Sequence, residues 1–170
     1  EGDPLWEAYA HLFETAATSI TIVTPYFVPD RRLFALLGAA ARRGRRVRLV
    51  IPRRSDHRLL DFARRWYLRT LHEAGAEILF FKPDVLHAKL VVVDGATAVI
   101  GSANLDMRSL FLNYEIAAVV RDAAALTAVQ SFVASLEAES SPYSEDLYRR
   151  SRTWRGRMLE AISKTLAPLL

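Results

Sequence analysis

Apolar side chains recur at helical spacing over residues 5–17, where Leu5, Tyr9, Leu12, Phe13 and Ala16 share a face. The next stretch, Ser19-Ile20-Thr21-Ile22-Val23-Thr24-Pro25, alternates and is β-branched, which predicts a strand closed by the proline. Asp30 is placed to cap a helix with the stripe Leu33, Leu36, Leu37, Ala40 and Ala41, and Gly44 ends it. Val47 to Ile51 predicts a short buried strand, the second, stopped by Pro52. The unit then repeats. Ser55 or Asp56 caps a helix carrying Leu59, Leu60, Ala63, Trp66, Tyr67 and Leu71, Gly75 terminates it, and residues 77–81 form a third strand. Strands separated by helices in this order predict right-handed crossovers and parallel pairing.

Past residue 85 the rhythm changes. A strand over 86–93 meets an Asp94-Gly95 turn, a return strand covers 97–100, and another covers 113–120. Asp122 caps a helix with Leu126, Val129, Val133 and Leu136, and Ser140-Ser141-Pro142 breaks it. Residues 143–170 are polar and Arg-rich but carry Trp154, Met158, Ile162 and Leu166, which predicts a last helix packed on the rest. The expected architecture is one α/β domain over 1–170, with a mixed, largely parallel sheet flanked by helices on both faces.

Composition narrows the class. With 170 residues, 51% hydrophobic and 25% charged, the chain fits one globular core and excludes a disordered or fibrous protein. It has no cysteine, which removes disulfides, thiolate nucleophiles and cysteine-type zinc sites. No apolar run approaches the roughly 18–20 residues of a membrane span. The net charge of +4 suits a phosphate-bearing partner, either nucleic acid or anionic lipid. Arg42, Arg43, Arg45, Arg46 and Arg48 cluster near one helix end, where the helix dipole alone accounts for part of their placement. The chain opens on Glu1 rather than methionine and is expected to be a piece of a longer protein.

The candidate chemistry lies in residues 86–115. His87 and Lys89 sit two apart on a strand, so both side chains leave the same face. Gly101-Ser102-Ala103-Asn104 follows, and Glu115 comes after it, again in a strand. An imidazole, an ammonium, a hydroxyl, an amide and a carboxylate converging in this way suit a phosphodiester. Lys89, Ser102 and Asn104 would donate to non-bridging oxygens, His87 would attack phosphorus, and Glu115 would fix the imidazole tautomer. Taken singly, each residue has an ordinary structural explanation; it is their combination at these spacings that points to a site. Asp94 falls on the opposite parity beside Gly95 and reads as a turn residue or a supporting ion pair.

The pattern His87-x-Lys89-x4-Asp94-x6-Gly101-Ser102-x-Asn104 resembles the HKD motif of the phospholipase D superfamily, without gap or substitution. The flanks Thr24-Pro25-Tyr26-Phe27-Val28-Pro29-Asp30, Ser55-Asp56 and Leu105-Asp106-x-Arg108-Ser109-x3-Asn113-x-Glu115 are similar to those of bacterial cardiolipin synthases. So is the tail from Trp154-x-x-Arg157 to Leu170, and the likeness is to the C-terminal catalytic half of a two-motif chain.

The resemblance implies that two HKD motifs face each other across a pseudo-two-fold axis. One histidine forms a phosphohistidine and the other protonates the leaving alkoxide and then activates the acceptor, with no metal or other cofactor. It implies His87 as one of the two histidines, Lys89 and Asn104 as phosphate ligands assisted by Ser102, and Glu115 as the group that orients His87. Gly101 and Asn113 enter as structural residues of the motif, and Tyr26 and Arg108 as candidate substrate contacts. The implied partners are an anionic phospholipid, phosphatidylglycerol, and a second HKD half in the same chain or in a dimer mate. The implied location is the bacterial cytoplasmic membrane surface. His11, His57 and His72 lack the downstream motif, so only one copy is present. The piece is therefore expected to be inactive unless paired. Two alternatives remain: a homodimeric phosphodiesterase acting on nucleic acid, and a non-catalytic half that scaffolds an active partner.

Overall fold

The chain up to residue 81 follows the strand–helix rhythm: α1 (Pro4–Thr15), β1 (Ser19–Val23), β2 (Phe27–Val28), α2 (Arg31–Arg42), β3 (Arg46–Pro52), α3 (Arg58–Glu73) and β4 (Glu77–Phe81). Strands dominate thereafter: β5 (Leu90–Val93), β6 (Thr97–Gly101), β7 (Leu105–Asp106), the short α4 (Met107–Phe111), β8 (Ala117–Val120), α5 (Ala123–Ala138) and β9 (Ser140–Pro142). The structure is a computed structural model that describes residues 4–56, 58–83 and 85–144. The expected helix within 143–170 lies outside the described residues apart from Tyr143 and Ser144.

The local signals act as their chemistry dictates. The Asp30 carboxylate accepts from the N–H groups of Arg32 and Leu33 at 3.0 and 3.1 Å, and Asp122 accepts from Ala125 N–H at 2.9 Å. Gly44 and Gly75 end α2 and α3 with φ of +79° and +101°. At the start of α3, the Ser55 N–H donates to Asp61 at 3.1 Å, and Asp56 accepts from the Tyr26 hydroxyl.

The main sheet has the order β8-β6-β5-β1-β3-β4-β9. β1, β3 and β4 run parallel, with Ile22 opposite Leu49 and Leu49 opposite Ile78. β5, β6 and β8 add antiparallel on one side, and β9 adds antiparallel to β4 on the other. Parallel pairing is thus confined to the strands that helices separate. The Asp94-Gly95 turn, with φ of 54° and 65°, can only reverse the chain, so β6 returns antiparallel to β5. β2 and β7 form a separate parallel pair with Phe27 opposite Leu105.

Helices cover both faces, as expected. Tyr9 and Phe13 of α1, Leu33 and Leu37 of α2, and Leu68 and Leu71 of α3 pack on Ile20, Ile22, Leu49, Ile78, Val91 and Val93. Leu126, Val133 and Leu136 of α5 pack on Val23, Val50, Leu90 and Val92 from the other side. Each fully buried aliphatic side chain of this kind contributes about 1.5–3 kcal/mol. Among the described residues no helix is long and apolar enough to cross a membrane.

Three expected strands prove shorter: 19–25 ends at Val23, 86–93 begins at Leu90, and 113–120 begins at Ala117. All three lose residues at the same end of the sheet, where the chain leaves the ladder to build a site. At the opposite end, Arg48 pairs with Glu77 and Glu137, and Arg46 pairs with Glu77 at 3.5 Å. Part of the sequence's arginine cluster is therefore neutralised far from that rim.

Candidate active site

Leu86, Ala88, Leu90 and Val92 enter the α5-side core, and Lys89 lies near the Glu115 and Asp106 carboxylates. His87, Ala88, Lys89 and Gly101 also line a cavity with Ala128, Val129 and Phe132 of α5. The ladder continues one step past β5, since the Gly101 N–H donates to the Lys89 carbonyl at 3.2 Å. Ala117 sits opposite Gly101 across the next pair and packs on the α1–α3 core. Glu115, two residues earlier, approaches the same side.

Electrostatics agrees with this placement. Burial lowers the Lys89 ammonium below its ordinary value, and the nearby Glu115 and Asp106 carboxylates oppose the shift. Beneath Glu115, the Tyr9 hydroxyl is pushed up to about 12 by burial and by the Glu115 charge. The Lys89 Nζ donates to the His87 carbonyl at 2.9 Å, which ties the two motif residues together through the backbone.

Gly101 is required by a close approach. A Cβ there would collide with the Ile116 carbonyl and lie 2.9 Å from the Ala117 Cα, so any side chain would push β8 away. Next to it, the Ser102 hydroxyl donates to Glu115 and accepts from the Ile116 N–H at 3.0 Å. Asn113 Nδ2 donates to the other Glu115 oxygen at 3.4 Å. Ser102 therefore holds Glu115 here, and to donate to a phosphate oxygen it would have to release that carboxylate. His87 is exposed, and among the described residues its imidazole has no hydrogen bond. The bond expected between Glu115 and His87 is not formed in this arrangement.

Asn104 is half-buried, and its Oδ1 is fully buried without a hydrogen-bond partner among the described residues. The Phe27–Leu105 pairing brings the segment before β2, with Tyr26, alongside the segment before β7, with Asn104. Tyr26 is already engaged: burial and its bond to Asp56 raise its hydroxyl to about 12. Arg108 lies exposed on α4, whose first turn is capped by Asp106 accepting from Ser109 N–H at 2.8 Å. The Arg108 carbonyl accepts from Leu112 and Asn113, closing α4 and starting the segment that delivers Glu115.

Asp94 lies at the other end of β5. Its carboxylate accepts from the N–H groups of Ala17, Thr18 and Ser19 at 2.7, 2.7 and 2.8 Å and from the Thr18 hydroxyl at 2.9 Å. Burial would raise its pKa, but these donors outweigh it and hold the carboxyl near 2. This motif residue clamps the α1–β1 turn to the β5–β6 hairpin. Sequence reasoning missed two contributors to the site, Asp106 and Tyr9. Asp106 carries a legible signal, a helix cap three residues before Ser109, whereas the position of Tyr9 under Glu115 depends on tertiary packing alone.

The architecture is that of a phospholipase D-like α/β domain. Residues 9–138 match the family described as "Cardiolipin synthase, PLD-like domain", and the chain belongs to that family. It is 40% identical over 173 residues to cardiolipin synthase 2 of Bacillus cereus, covering 99% of this chain and 33% of that protein. It is 38% identical to the cardiolipin synthase of Halalkalibacterium halodurans, covering 99% of this chain and 34% of the relative. The chain thus spans about a third of the length of the curated relatives it matches. Among solved structures, it is similar to phosphatidylserine synthase of Haemophilus influenzae, with TM-score 0.76, 16% identity, and coverage of 99% of this chain and 44% of that one. It is also similar to Nuc of Salmonella typhimurium, a phospholipase D family member, with TM-score 0.70, 20% identity, and coverage of 81% and 90%. At these identities the structural likeness speaks for the fold alone.

Proposed function

We propose that this chain supplies one of two catalytic halves for phosphatidyl transfer, making cardiolipin from two molecules of phosphatidylglycerol. The observation that carries the reading is the shared placement of Lys89 and Glu115 on one side of the sheet rim, next to His87 and Ser102. Membership of the cardiolipin synthase family supports the choice of lipid. His87 and the histidine of the second half divide the work. One attacks phosphorus through a ring nitrogen, and the phosphorus–oxygen bond to the headgroup glycerol breaks. The other gives its proton to the departing glycerol oxygen. It then takes the proton from a hydroxyl of the second phosphatidylglycerol, whose oxygen attacks phosphorus and releases the first histidine. Lys89 and Asn104 stabilise the charge on the non-bridging oxygens, and the reading calls for no metal.

Leu112, Tyr114 and Ile116 expose large apolar surfaces on the segment that leads to and passes Glu115. Covering by a second half would bury them. The test is to quench full-length protein during turnover with phosphatidylglycerol labelled at phosphorus. Acid-labile label on His87, or on a partner histidine that requires His87 for turnover, is expected. Transfer without any phosphohistidine would refute the reading.

A further inference from the structure

A second basic feature lies between α3 and the β4–β9 edge. It is a cavity of about 710 Å³ whose lining includes Arg53, Arg54, Arg64 and Arg65, with Asp61 as its one acid among the described residues. Arg64 is 5% exposed. Its Nη2 is used twice, pairing with Asp61 at 2.8 Å and donating to the Arg53 carbonyl at 3.1 Å. Its Nη1 is buried with no hydrogen-bond partner among the described residues. Asp61 is shared as well, since it accepts from the Ser55 N–H. Arg65 lies over the Phe62 ring at 4.6 Å, and Arg53, Arg54 and Arg65 have no ion pair among the described residues.

An arginine retained only to pin the residues after β3 would need Nη2 alone. A buried guanidinium with an unmet N–H and three like charges around its cavity is costly, and an anion removes that cost. Guanidinium groups suit phosphate oxygens in particular, because they donate paired, charge-assisted hydrogen bonds. Position supports the same ligand. Val23 pairs with both Val50 and Leu90, so Arg53, just past β3, stands at the rim where His87 and Lys89 precede β5. From β5 through β1 and β3 to β4 is three strand steps, about 14 Å, so a surface lying along this rim reaches both places.

We propose that this arginine cavity is a phosphate-binding site distinct from the His87 site, taking either a phospholipid headgroup phosphate or a free phosphate. The site does not depend on which reaction His87 performs. Its test uses full-length protein with Lys89→Met, so that the His87 phosphate site is weakened, with and without Arg53→Gln/Arg54→Gln. The latter two residues are exposed, which leaves the buried Arg64 and the fold in place. Inorganic phosphate is titrated calorimetrically, and flotation is measured with phosphatidylglycerol and phosphatidylcholine vesicles. The double substitution is expected to weaken one of these interactions about tenfold or more without moving the melting temperature. A loss confined to phosphatidylglycerol vesicles identifies a headgroup, and a loss confined to inorganic phosphate identifies a free anion. Phosphate and vesicle binding that are both absent, or both unchanged by the substitutions, would overturn the proposal.

Discussion

The Ser102 hydroxyl donates to the Glu115 carboxylate while accepting from the Ile116 N–H at 3.0 Å, so one small side chain fixes both the acid of the site and the entry to β8. Ser102→Ala removes both bonds. It is expected to lower kcat about tenfold or more by loosening Glu115, and to cost about 1 kcal/mol of stability through the unmet Ile116 N–H. Ser102→Thr, which keeps the hydroxyl, is expected to restore much of the loss. Turnover and urea unfolding on the two variants separate these effects.

Gly101→Ala places a methyl group against the Ile116 carbonyl and Ala117. Both obstacles are backbone, so neither can swing aside. The expected cost is about 1–3 kcal/mol, together with a large fall in kcat because Glu115 moves with β8. Thermal unfolding and assay of the same preparation check both.

Asp94 is expected to act on stability rather than chemistry. Its carboxyl is held near 2 against an ordinary value of 3.8, so its stabilisation is present above about pH 4 and is lost as pH falls toward 2. Asp94→Asn loses that contribution at neutral pH and flattens the stability curve between those limits. Kinetics at low temperature are expected to stay within a few-fold of wild type. Denaturant melts across pH 2–7 test the sign, and a variant whose acid sensitivity matches wild type would contradict it.

The sequence revealed much of the fold because its punctuation is local. Asp30, Asp122, Gly44, Gly75 and Asp94-Gly95 each act through their own backbone neighbours, and each does in the structure what its residue type implies. Strand ends were less legible, because a strand lasts only as long as its partner. Residues 86–89 and 113–116 alternate well enough for strands, but β6 ends at Gly101, opposite Ala117, and leaves them largely without a ladder. α4 has too few residues for a periodic stripe, and Ser140-Ser141-Pro142 reads as a breaker while serving as the edge strand β9. The motif offered candidate site residues, but not that Ser102 would be committed to Glu115 or that Arg64 would be buried. Both depend on which elements meet.

Lys89→Met is expected to reduce kcat by about 10²–10³, since in the proposed mechanism its ammonium faces charge that grows in the transition state. Lys89→Arg is expected to recover little, because the half-buried site is shaped for a single ammonium beside Glu115 and Asp106. Steady-state assays of the full-length protein give both values.

The central claim is that His87 takes part directly in phosphatidyl transfer. It is tested most directly by assaying full-length His87→Ala for cardiolipin formation from phosphatidylglycerol, alongside its melting temperature. The account predicts transfer reduced by at least about a thousandfold with the melting temperature unchanged. Normal turnover by a folded His87→Ala protein would contradict it.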